Sequence, residues 1–128
     1  MNRLGAERWL RAHLIAHPER VGLSGLSAAA PPVQRTNLKE AVPAVARGTS
    51  DGGAETIVVC GVGIDLDLVP FAADARLLQN SDAELKIVVP HRDAHLILQE
   101  LVDRLIDPAE IIGIDDGWRE WLGPPSVP

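Results

Sequence analysis

Apolar and polar positions alternate along this chain with two different periods, and the switches between them mark out its elements. Between Glu7 and His17, apolar and aromatic residues recur at three- and four-residue spacing. Ala6, Trp9, Leu10, His13, Leu14 and His17 then share one helical face. Pro18 ends that pattern, because the residue before a proline is pushed out of the helical region. The stretch Val21 to Pro32 is small and polar, with Ala28-Ala29-Ala30 and Pro31-Pro32, and reads as a connecting loop. Val33 to Leu38 reads as a short edge strand and Ala41 to Arg47 as a second, with Pro43 placing it at an edge or at a strand's start. Ser50-Asp51-Gly52-Gly53 is a hairpin turn signal, since Asp-Gly supplies the positive φ angles a tight turn needs. Thr56 to Val62 follows, and its unbroken run Ile57-Val58-Val59-Cys60 is expected of a central strand covered on both faces.

The second half is more regular. Leu68 to Gln79 predicts a helix with Leu68, Phe71, Ala72, Ala75 and Leu78 on one side and Pro70 in the first turn. Leu85 to Val89 predicts a strand. Asp93 to Ile106 predicts an amphipathic helix capped by Asp93, with Ala94, Ile97, Leu98, Leu101 and Leu105 as its stripe. Asp107-Pro108 stops it, Ile111 to Ile114 is a last short strand, and Gly117 to Leu122 a helical turn. Strands alternating with helices imply parallel crossovers, and the hairpin adds an antiparallel element. The expected fold is therefore one α/β domain over residues 1–122, a mixed sheet of about four to six strands flanked by helices, with a loose tail at 123–128.

Composition narrows the function classes. With 128 residues the chain is long enough for one core. Twelve basic against 18 acidic residues leave a net charge of −6, the opposite of a phosphate-neutralising footprint, so nucleic acid is not the expected partner. The basic residues Arg35, Lys39 and Arg47 form only a loose cluster, and four aromatic residues (Trp9, Phe71, Trp118, Trp121) make no stacking platform. Neither a signal-peptide core nor a membrane-length apolar run is visible, which makes the cytoplasm the expected location. The single cysteine, Cys60, excludes an internal disulfide and any multi-cysteine metal site.

Candidate chemistry centres on Gly61-Val62-Gly63-Ile64-Asp65-Leu66-Asp67, at the carboxyl end of the central strand, where open α/β sheets bind ligands. Asp65 and Asp67 are suited to holding magnesium or manganese through carboxylate oxygens, and Asp115 and Asp116 after the last strand would complete such a site. The plainer reading is that Asp67 caps the following helix and Asp65 favours its dipole. Gly61-x-Gly63 is half of a dinucleotide fingerprint, but Leu66 stands at the third glycine position, so close helix–strand packing explains it better. His13 with His17 and His91 with His95 have helical spacing without the glutamate of a zinc-protease motif, and read as packing or surface residues. Cys60 lies among apolar neighbours, where a thiol is inert. Trp118 and Trp121, three apart, suit either an interface anchor or the closure of the core.

Asp65-x-Asp67 after an apolar strand resembles the first motif of haloacid-dehalogenase-like phosphatases, which would make Asp65 a nucleophile and Asp67 an acid/base. The match covers about seven residues, and no threonine or serine follows the strand at Val89. The order helix, three strands, helix, strand is similar to the core of PD-(D/E)XK nucleases. In that family an acidic residue on the second strand and Glu-x-Lys on the third bind metal. Here Glu40 stands near the second strand, and Val58-Val59-Cys60-Gly61 occupies the place of the third-strand motif. The resemblance therefore extends to topology without cleavage chemistry. The expectation is a non-enzymatic protein-interaction or self-association domain, with no cofactor and with another protein or a second copy as partner. The alternative is a divalent-metal-dependent phosphatase- or nuclease-like enzyme using Asp65 and Asp67.

Overall fold

The computed structural model describes residues 5–32, 42–63 and 65–121. The first helix, α1, runs Ala6–Ala16 and buries Ala6, Glu7, Leu10, His13 and Leu14. Pro18 ends it as expected and opens a 3₁₀ turn, Pro18–Val21, which Gly22 closes in the left-handed region at φ 74°. The chain then enters β1, Leu23–Ala29, where the sequence pattern suggested a loop. That expectation is corrected by cross-strand pairing: Leu26 lies opposite Gly48 and Ala29 opposite Val45. Small residues without clear alternation hide an edge strand held by cross-strand hydrogen bonds, with Leu23 as its buried anchor. Gly48 is required here, since a Cβ at that position would sit 2.2 Å from the Gly25 carbonyl oxygen. The proposed strand at 33–38 lies outside the described residues.

Strands β2, Ala44–Ser50, and β3, Glu55–Cys60, form the expected hairpin, with Pro43 just before the first. Its turn is closed by Gly53 N–H to Ser50 O at 2.9 Å, with Gly53 at φ 86°. Helix α2, Leu68–Gln79, has the predicted bounds. It leads to β4, Glu84–Pro90, and then to a 3₁₀ turn, His91–Asp93. Helix α3, Leu96–Asp103, is shorter than the predicted 93–106. Asp93 does not cap it, because its carboxylate is taken by Gly63 N–H at 2.8 Å. Beyond its far end, Arg76 of α2 donates to the carbonyls of Pro108 (2.7 Å) and Asp107 (3.1 Å). The last strand, β5, is Glu110–Ile114, followed by a 3₁₀ turn at Asp116–Arg119.

The five strands lie in the order β1-β2-β3-β4-β5, the first two pairings antiparallel and the last two parallel. Alternate residues of the central strands face opposite layers. Ile57, Val59, Ile87 and Val89 pack with Leu68, Val69, Ala72, Leu98 and Val102 of α2 and α3. Val58, Cys60 and Val88 pack with Leu10 and Leu14 of α1 and with Trp118. Two crossovers of the same hand, stepping the same way across a sheet, must lay both helices on one face, and α2 and α3 obey this. The molecule is thus a three-layer α/β domain, with α2 and α3 on one side of the sheet and α1 with the 3₁₀ turn bearing Trp118 on the other. Among the described residues no helix is long and apolar enough to cross a membrane.

Candidate functional site

The carboxyl ends of β3 and β4 meet in one tied loop cluster. Gly61 N–H continues the pairing to Val88 O at 3.0 Å. Gly63, at φ 86°, turns the chain so that its N–H reaches the Asp93 carboxylate, which is buried. A Cβ on Gly61 would lie 2.8 Å from Leu68, so this glycine serves the close approach of α2 to β3. Asp65 follows, and its Oδ1 accepts the Asp67 N–H at 2.9 Å. Asp67 stands at the first position before α2 without a side-chain capping bond, so the turn is held by Asp65.

The four aspartates singled out by the sequence fall into two separate pairs. Asp65 and Asp67 follow β3, while Asp115 and Asp116 follow β5, with β4 between. Asp115 accepts from Arg20 Nη2 at 3.1 Å and from Gly117 N–H at 3.3 Å. The hydrogen bond from Arg20, more than any other contact, holds its carboxyl below the ordinary carboxylate value. Asp116 accepts from Arg119 Nε at 3.3 Å. Among the described residues, no three His, Cys, Asp or Glu side chains gather as a metal-ligand set.

The tryptophans also divide. Trp118 is fully buried beneath α1. Trp121 is half-buried and stacks obliquely on Trp9, ring centroids 5.1 Å apart, with His13 edge-on at 5.3 Å. His13 is buried, and its Nε2 lies 2.9 Å from Arg20 Nη1, which assigns Nε2 as acceptor and places the proton on Nδ1. Burial, reinforced by the Arg20 and His17 charges, lowers the His13 pKa from the ordinary imidazole value. His91 and His95 are exposed, and His91 packs against Gly113 of β5. Cys60 is buried, and desolvation pushes its thiol up to about 12, far from the thiolate that nucleophilic chemistry needs.

Sequence reading missed two charged residues under α1. Glu7 is buried, and burial raises its carboxyl above the ordinary value. Arg11, one turn on, donates Nη1 to Val45 O at 3.0 Å. The available signal was their spacing, since Glu7 shares a helical face with Leu10, Arg11 and Leu14 rather than the opposite, solvated one. Arg8 and Arg11 border a 360 Å³ cleft floored by small residues of β1 and β2. A wider 570 Å³ hollow lies at the opposite end of the sheet, between Arg76, Lys86 and Glu110. Its guanidinium and ammonium groups are engaged by the Asp107 and Pro108 carbonyls and by the Glu110 carboxylate. Compared with protein-family models, with curated proteins and with solved structures, the chain gives no match.

Proposed function

We propose that this domain acts by self-association, two copies joining through the edge of β5, which no other strand pairs among the described residues. The observation that carries the reading is the difference between the sheet's two edges. β1 is interrupted by a bulge between Leu23 and Gly25, a device that blunts an edge against pairing. β5, Glu-Ile-Ile-Gly-Ile, pairs with β4 in unbroken register and carries no proline, lysine or bulge. Ile111 and Ile112 point to opposite faces and are only partly buried, so each gains cover if a second strand is laid alongside. Antiparallel pairing about a two-fold axis near Ile112 would extend five strands to ten. The acidic residues flanking the strand do not oppose this. Glu110 is paired with Lys86 at 3.2 Å and Asp115 with Arg20 at 3.1 Å.

The apolar filling beneath α1 supports a scaffold over an enzyme. Val58 and Cys60, which the topological resemblance to PD-(D/E)XK nucleases would set at catalytic positions, belong to the buried core with Ala44. The test is the solution mass over a wide concentration range, for the native chain and for Ile111→Lys and Ile112→Lys. A dimer that dissociates on dilution and is abolished in both variants supports the reading. A native monomer at every concentration, or a dimer unmoved in folded variants, refutes it.

A further inference from the structure

Along the flank of α1, two arginines share a cleft whose described wall carries no carboxylate. The cleft holds 360 Å³ between Arg8 and Arg11 of α1, Ala28 of β1, and Pro43, Ala44 and Val45 around the start of β2. It is open because the side chains there are small and the helix covers only part of the sheet. Ala28 lies opposite Ala46, so both point to the α1 layer, into which Ala46 is packed. Ala46 is enclosed whereas Ala28 is exposed, so the cover of α1 stops between β2 and β1.

Arg11 is half-buried, and its Nη1 donates to Val45 O at 3.0 Å. Among the described residues its Nε and Nη2 make no hydrogen bond, and neither Arg8 nor Arg11 enters an ion pair. A neutral carbonyl satisfies one donor but not the charge of a guanidinium withdrawn from water. Burial, more than any other cause, lowers the Arg11 pKa, and the Arg8 charge acts in the same direction. Three positions apart on one helix, the two cations are neighbours and repel. Glu7, the nearest carboxylate in sequence, is buried and lines a separate hollow of about 20 Å³ beside Gly61 and Val62. Of the two arginines only Arg8 acts on its carboxyl, so the Arg11 charge is left unanswered among the described residues.

A guanidinium fork recognises an oxyanion through paired N–H donors. The described floor offers only small alkyl groups, with no aromatic ring to stack a base or a sugar. The chain's net charge of −6 disfavours a multiply charged ligand. We infer that this cleft binds an aliphatic monocarboxylate, its head on Arg11 with Arg8 beside it and its hydrocarbon on Ala28, Pro43 and Ala44. A volume of 360 Å³ stands at the lower end of the range of about 300–1,000 Å³ for small-molecule sites, which suits a chain of medium length. The cleft lies by β1 and β2, across the sheet from the β5 edge, so its failure would leave the self-association reading untouched.

Titration calorimetry of the full chain with octanoate tests it, with 1-octanol and inorganic phosphate as the two controls. Octanoate should saturate a single site per chain, and each control should bind about tenfold more weakly or not at all. Arg11→Met, which removes charged hydrogen bonds to the head, should weaken octanoate about tenfold or more. Ala28→Phe should abolish binding by filling the floor while both guanidiniums stay in place. If Arg11→Met fails to fold, Ala28→Phe, at an exposed position, decides alone. No saturable binding at millimolar octanoate overturns the proposal, as does octanoate binding that survives in Ala28→Phe. Octanol binding as tightly as octanoate overturns it in favour of apolar partition, and phosphate binding as tightly overturns it in favour of a bare oxyanion site.

Discussion

Replacing Arg76 by methionine tests how the second parallel crossover is anchored. Arg76 lies on the inner side of α2, 6% exposed, and reaches across to the connection between α3 and β5. Its Nη1 donates to Pro108 O at 2.7 Å and its Nη2 to Asp107 O at 3.1 Å. Hydrogen bonds from a charged donor contribute about 1.5–3 kcal/mol each. The two carbonyls border the 570 Å³ hollow, so water can replace part of what the guanidinium supplied, and the lower end of that range applies. Methionine retains most of the aliphatic packing of the arginine stem. The expected loss is therefore about 3 kcal/mol, or on the order of 10 °C in Tm for a chain of this length. Urea unfolding should show a lower midpoint at unchanged slope. Amide exchange should accelerate first in β5, because that strand is positioned by the segment Arg76 holds. Arg76→Lys, which can satisfy only one carbonyl well, should fall between. A loss below about 0.5 kcal/mol for Arg76→Met, the range of an ordinary surface change, would refute this account.

Two further outcomes follow from groups that the fold buries. His13 has its pKa lowered in the folded state, so the unfolded chain takes up a proton first. Its contribution to stability should be complete above the ordinary imidazole value of about 6.5 and be lost as pH falls from there through the lower folded value. Urea midpoints measured from neutral to mildly acid pH should show this slope, and His13→Gln, which can still accept from Arg20, should flatten it. An unchanged slope in that variant would assign the effect elsewhere. Cys60, with its thiol pushed up to about 12 and no exposed surface, should resist alkylation in the native chain at mildly alkaline pH and react only as fast as the chain opens. Rapid stoichiometric labelling without unfolding would contradict the packing of β3 beneath α1.

Periodicity is a local property, and it placed α2 and the central strands while overrunning α3 at both ends. Helix α2 has the bounds its apolar spacing predicts, and the Asp-Gly turn stands between β2 and β3. The continuous run Ile57-Val58-Val59-Cys60 occupies a central strand buried on both faces, because only there do both sets of alternate side chains find apolar neighbours. Those signals sufficed for a mixed α/β sheet. Other features depended on partners remote in the chain. β1 became a strand because Gly48 lets its backbone approach that of Gly25, and small residues announce that possibility only faintly. Asp93 looked like a helix cap until Gly63, brought beside it by the neighbouring strand, offered a competing N–H. Trp118 and Trp121 are three residues apart in sequence, yet one is enclosed under α1 and the other lies half-open against Trp9. Glu7 and Asp65, remote in the chain, line one small cavity by the same rule. Helices, turns and core strands are determined by residues within a few positions of one another, whereas the environment of a carboxylate is set by whatever the folded backbone carries to its side.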